Sequence, residues 1–145
     1  MKKRIILLIL GLLINMFIWI NSLMPASISS EQSGFIVKII YPIFEKRIDI
    51  NNFTIIIRKL AHITEYMILA FVLGLLYSDI IYKKYSIITI IHILITAIID
   101  EVIQIFVDGR AGLITDVLFD LIGGLLGILI VIVINKHKHK HINMT

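Results

Sequence analysis

The chain has 145 residues, 59% of them hydrophobic and 17% charged, with a mean hydropathy of +0.98 and a net charge of +4. No soluble domain of this length needs so apolar a composition, so the sequence describes an integral, all-α membrane protein: a bundle of about four transmembrane helices plus a short interfacial segment. The absence of cysteine excludes thiol catalysis, thiolate metal sites and disulfides, and the positive charge gathers at the ends of apolar runs, which excludes a nucleic-acid footprint.

Taken in order, Lys2, Lys3 and Arg4 precede an apolar run over residues 5–24 that is long enough to span a bilayer, with Trp19 placed as an interfacial anchor. The run exceeds the apolar region of a signal peptide, so an uncleaved first helix is expected, cleavage between Ala26 and Ser30 being the alternative. Pro25 ends the run. The apolar piece from Gly34 to Phe44, broken by Pro42, is too short to span and reads as an interfacial or re-entrant segment. Further spans are expected over 55–77, 86–107 and 113–134, joined by a turn carrying Asp79, Lys83 and Lys84 and by the turn AspGlyArgAlaGly at 108–112. His92 reads as a lone polar residue at a helix contact, and a basic tail of alternating lysine and histidine occupies 136–141 as a solvated anchor against anionic lipid. No internal repeat is evident, and residues 1–145 read as a single domain.

The positive-inside rule puts both termini and the 78–85 turn in the cytoplasm and the 25–54 segment outside, although Lys38, Lys46, Arg47, Arg58 and Lys59 weigh the other way. Within the apolar spans an ionisable side chain costs several kcal/mol unless partnered, so the charged residues there must face a bundle interior. Arg58, His62 and Glu65 share one face of the second span, with Lys59 beside them and Tyr66 following. Thr96, Asp100 and Gln104 form a stripe on the third, with Glu101 adjacent. Asp116, Asp120, Gly123 and Gly127 fall within about 60° of one another on the fourth, acidic at one end and glycine-smooth at the other.

Consecutive helices run in opposite directions, so these sets meet at one end of the bundle, in about the outer third of a 30 Å core. With Arg110 from the turn, the group holds five carboxylates, Glu65, Asp100, Glu101, Asp116 and Asp120, against the three cations Arg58, Lys59 and Arg110. The excess of two acids leaves room for a protonated carboxyl, a charged His62 or a bound cation. His62, Glu65 and Asp100 have the chemistry of metal ligands but no recognised ligand spacing, so neither a metal nor a cofactor is expected. A purely structural network, with Gly123 and Gly127 as a small-residue helix contact, is the bland alternative.

The segments ArgLysLeuAlaHisIleThrGluTyr at 58–66, AspGluValIleGlnIlePheValAspGlyArgAlaGly at 100–112 and AspValLeuPheAspLeuIleGlyGlyLeuLeuGly at 116–127 resemble the VanZ-like family of bacterial membrane proteins. AsnSerLeuMetProAlaSerIleSerSer, after the first span, is similar to that family's serine-rich opening. At Asp120 the family pattern usually has asparagine. The resemblance implies a protein of the bacterial cell envelope, since the founding member is associated with resistance to the lipoglycopeptide teicoplanin by a route that leaves the peptidoglycan precursor terminus unaltered. Its motif positions here are Arg58, Lys59, His62, Glu65, Tyr66, Asp100, Glu101, Gln104, Gly109, Arg110 and Asp116.

Three functions compete on the sequence. The first is an outward polar pocket binding a cell-surface molecule, a lipid-linked wall precursor or a lipoglycopeptide, with Arg58, Lys59 and Arg110 holding an anionic group. The second is a membrane-embedded enzyme with a His, Glu and Asp acid–base cluster, for which no nucleophile motif is present. The third is a transporter, which the apolar far halves of the helices do not favour. The partners expected are thus the lipid bilayer and such a surface molecule, with no nucleic acid; the oligomeric state is left open.

Overall fold

A computed structural model describes residues 1–45, 47–81 and 83–142. Lys46, one of the basic residues weighing against the topology, lies outside the described residues, as do the side chains of 138–142 in the basic tail. All regular structure among the described residues is helical: α1 (Lys2–Ser22), α2 (Ala26–Ile40), α3 (Ile50–Ile80), α4 (Tyr85–Ile105) and α5 (Ile114–Ile142), with a single 3-10 turn at Tyr41–Ile43. Four of these, α1, α3, α4 and α5, are long and apolar enough to cross a membrane. At most 39% of any spanning window is buried against the rest of the chain. The remaining surface, with Leu12, Ile91 and Ile130 exposed along it, is hydrocarbon that only a lipid core would cover. The protein is a multi-pass membrane protein.

The helix boundaries follow local chemistry. Pro25 holds φ −53° and ψ 152° as the N-cap of α2, which separates it from α1. Asp49 caps α3, its carboxylate accepting the Asn51 N–H at 2.9 Å, so α3 begins at Ile50, ahead of the expected 55. Pro42 sits in the 3-10 turn that closes α2, and Tyr41 and Phe44 there pack their rings against Phe53 of α3. Between α4 and α5, Gly109 adopts φ +74°, a conformation in which a side chain would be strained.

In the packing, α3 touches every other helix, and its closest neighbour is α5. A Cβ on Gly123 or Gly127 would collide with the carbonyl oxygen of Ile63 or Met67, so the backbones of α3 and α5 meet with nothing between them. Gly74 presents the same smooth surface on α3 to Val131. The fully buried core, Leu69, Ala70, Ile93, Ala97 and Val131, lies along this seam and its junction with α4.

The end of the bundle formed by the start of α1, the α3–α4 turn and the end of α5 is charged. There Lys3 pairs with Asp79 at 2.6 Å, and Arg4 donates to the Asp79 carbonyl at 2.6 Å. His92, expected to be alone, is not: its Nδ1 lies 3.0 Å from the Tyr77 hydroxyl between α3 and α4. Trp19, near the end of α1, turns its indole N–H toward the Thr96 carbonyl of α4 at 3.4 Å.

Candidate functional site

The opposite end, where α1 and α4 finish and α3 and α5 start, brings together polar residues from all four spans. It is organised in three layers. Along the bundle axis, Thr96 donates to Asn15 Oδ1 at 2.9 Å, Asp100 accepts from the Ser22 hydroxyl, and Gln104 reaches Asp100 Oδ2 at 3.2 Å and Glu101 Oε1 at 3.4 Å. The polar stripe of α4 therefore faces α1. All of Thr96, Asp100, Glu101 and Gln104 are buried, and each finds a partner, as buried polar groups must.

Next to this line, the loop 106–113 is tied down from three directions. Glu101 accepts the Leu113 N–H at 2.6 Å, giving the start of α5 a carboxylate partner from a neighbouring helix. The Ala26 N–H donates to the Asp108 carbonyl at 3.3 Å. Arg110 reaches across to the Asn21 carbonyl at 3.0 Å. Lys59 and Asp116 close the outer side as an ion pair at 2.7 Å, 30% and 24% exposed, with the ammonium 4.1 Å above the Phe119 ring.

Beneath the loop a cavity of about 300 Å³ opens between α1, α2 and α3. Its wall carries Asn21, Ser22, Ser29, Ser33, Arg58 and Arg110, with His62 and Glu65 at its inner side. Asn21 Nδ2 lies 3.4 Å from Glu65 Oε1. Both arginines belong to the lining, and burial followed by the neighbouring Arg58 charge pushes Arg110 below its ordinary value. Among the described residues no carboxylate comes within ion-pair distance of either, and Arg110 Nε is buried without a hydrogen-bond partner.

At the inner end, His62 Nδ1 lies 3.3 Å from Asp120 Oδ1, but neither atom is in hydrogen-bonding geometry. One ligand atom from each of His62, Asp100 and Asp120 lies within 4.8 Å of the other two, a trio with the donor set of a metal site. Tyr66 is fully buried beside them, its hydroxyl unpartnered and within electrostatic reach of Asp100 and Asp120.

The structure thus divides the sequence-derived group. Arg58, His62, Glu65 and Arg110 line the cavity; Asp100 and Asp120 sit behind its wall; Glu101 and Gln104 brace the connection to α5; Lys59 and Asp116 satisfy each other away from the cavity. Gly123 and Gly127 lie on the α3–α5 seam. Residues that sequence reasoning did not place in the group are Asn15, Asn21 and Ser22 of α1 and Ser29 and Ser33 of α2. Their signal was the serine-rich stretch around Pro25, noted only for its resemblance, whereas Asn15 is a lone amide in an apolar run.

A second, larger cleft of about 800 Å³ runs along the flank of α1 and α4. Its walls are mainly apolar, among them Leu8, Leu12, Leu76 and Ile95, with Arg4, Asn15, Trp19, Tyr77, His92 and Thr96 also in the lining, which suits a hydrocarbon chain.

A family model described as VanZ/LLP1 matches residues 6–135. No curated protein and no solved structure matches the chain.

Proposed function

The chain belongs to the VanZ/LLP1 family, and from that premise we propose that the cavity opens to the outer face of the cell membrane and holds the anionic head of an amphiphilic cell-surface molecule, lowering the action of lipoglycopeptides such as teicoplanin. The observation that carries this reading is the pair of cavity guanidiniums, Arg58 and Arg110, neither matched by a carboxylate within ion-pair distance among the described residues. Two forked cations facing one space accept a phosphate or carboxylate in bidentate fashion. The Ser29 and Ser33 side chains and Asn21 supply further polar contacts on the same wall. An outward cavity is supported by the other end, where Lys2, Lys3, Arg4, Lys83, Lys84 and Lys136 collect, as expected of a cytoplasmic face. A lipid-linked wall precursor fits the chemistry, because its head is anionic and its tail would lie along the apolar flank.

The test is expression of the protein in a susceptible Gram-positive host. Teicoplanin sensitivity should fall with wild type and return with Arg58→Gln or Arg110→Gln, at equal protein level by immunoblot. Unchanged sensitivity on wild-type expression sinks the resistance role, and full protection by both variants sinks the guanidinium site.

One observation favours a second reading, an enzyme acting on a lipid-linked substrate: His62 lines the cavity with the Asp120 carboxylate 3.3 Å from its Nδ1, a pairing from which an acid–base histidine can be built. Turnover of lipid-linked wall precursor by purified protein, abolished by His62→Ala, supports it; no product with wild type removes it.

A further inference from the structure

Once Lys59 and Asp116 have neutralised each other, the junction of α3, α4 and α5 holds two buried carboxylates, Asp100 and Asp120, whose ion-pair contact among the described residues is the His62 imidazole, 3.3 Å from Asp120. Asp120 is 0% exposed, and neither carboxylate oxygen has a hydrogen-bond partner among the described residues. Asp100, also 0% exposed, receives the Ser22 hydroxyl on one oxygen and Gln104 Nε2 on the other. Both carboxylates approach the same imidazole, whose Nδ1 is itself without a hydrogen bond. Two carboxylates brought this close in a membrane interior need a compensating positive charge.

A protonated His62 paired with Asp120 at 3.3 Å would offset one of the two charges and leave the Asp100 carboxylate with neutral donors alone. Convergent lone pairs from three helices are instead what an ion demands, at roughly 2.0 to 2.2 Å from imidazole nitrogen and carboxylate oxygen. We propose that His62, Asp100 and Asp120 form a binding site for one divalent transition-metal ion, of the zinc or manganese type, at the inner end of the cavity. A neutral imidazole with two carboxylates carries a charge of minus two, so a divalent ion brings the site to neutrality. The mixed nitrogen and oxygen donors suit zinc or manganese better than magnesium, which prefers oxygen and water.

The surroundings are those of a ligating carboxylate: Ser22 and Gln104 hold Asp100 from outside the trio, fixing its orientation. The buried, unpartnered Tyr66 hydroxyl is a further polar atom for a water on the ion. Entry runs through the cavity, since Ser22 and His62 are both in its wall. Asparagine in place of Asp120 would remove one charge and one strong donor, so the acid at this position is what makes the trio competent. This site stands apart from the guanidinium reading, because loss of any antibiotic phenotype leaves metal binding untouched.

The experiment uses the full chain in nanodiscs, purified through a tag free of histidine. His137, His139 and His141 are changed to glutamine so that the tail offers no competing ligands. Elemental analysis should find one equivalent of zinc or manganese per chain. Chelator-stripped protein should melt at a higher temperature when Zn²⁺ or Mn²⁺ is restored, with a smaller response to Mg²⁺. Asp120→Asn and His62→Gln should weaken affinity by about a hundredfold or more, and Ser22→Ala, which keeps all three ligands, by about tenfold. Stripped protein that melts cooperatively but takes up neither ion overturns the proposal, as does wild-type affinity in Asp120→Asn or His62→Gln. Should those two variants not fold, Ser22→Ala decides: a tenfold loss supports the site and an unchanged affinity overturns it.

Discussion

Replacing Gly123 by alanine tests whether the α3–α5 seam sets the geometry of the site. The added methyl group would collide with the Ile63 carbonyl oxygen and lie 3.0 Å from the carbonyl carbon and 3.1 Å from Cα of the same residue. These are backbone atoms of a helix, which cannot swing aside as a side chain can, so the two helices must part locally by something on the order of 1 Å to restore van der Waals separation. Overpacking of this kind costs about 1 to 3 kcal/mol, against which alanine regains about 0.5 to 1 kcal/mol of helix propensity. At about 2 to 4 °C per kcal/mol for a chain of this size, the melting temperature in nanodiscs should fall by several degrees. Ile63 follows His62, and Asp120 lies one turn before Gly123, so the parting also draws His62 away from Asp120. Metal affinity and stability should therefore fall together. Gly127→Ala, which meets the Met67 carbonyl oxygen, should behave alike, and the double variant should lose less than the sum because the first separation relieves the second. Gly34→Ala is the control: nothing lies within 4 Å of its added carbon, so its melting temperature should stay level or rise slightly. Wild-type melting of Gly123→Ala and Gly127→Ala would refute the close-packed seam.

Other consequences are smaller or more local. Glu101→Ala removes the acceptor of the Leu113 N–H and should cost about 1 to 3 kcal/mol in thermal melting, with Glu101→Gln recovering part of it. Thr96→Val leaves the buried Asn15 Oδ1 without its 2.9 Å donor; the expected loss is about 1 kcal/mol, and a double-mutant cycle with Asn15→Ala isolates the pair. Lys59→Met breaks an ion pair that is partly exposed on both sides, so it should change stability by less than about 1 kcal/mol, a difference that shrinks further in high salt. Since the chain has no cysteine, Ser33→Cys should react with a membrane-impermeant thiol reagent added to intact cells and Lys83→Cys should not; the reverse pattern refutes an outward cavity.

Much of the fold was legible without coordinates because the bilayer simplifies the question. A run of about 20 apolar residues spans whatever its neighbours do, which is why the four spanning helices could be read from hydropathy and the Pro42 segment set apart from them. Alternating helix direction, a matter of counting, predicts that Glu65, Asp100 and Asp120 share one end. The glycines at 123 and 127 could be put on one face by periodicity alone.

Which side chain meets which was not legible, because it depends on how each helix is rotated and how deep it sits, and both are decided by contacts far apart in the chain. Periodicity grouped His62 with Glu65, its neighbour on the same face of α3. The approach of Gly123 to Ile63 instead sets His62 against Asp120, while Asn21 of α1 takes Glu65. In the same way Lys59, adjacent in sequence to Arg58, is turned to Asp116, and the cavity is left to Arg58 and Arg110. The sequence by itself determined that a membrane bundle must gather its charges at one end. Only the tertiary packing, by fixing the rotation of α3 against α5, decided which of them remain unpaired.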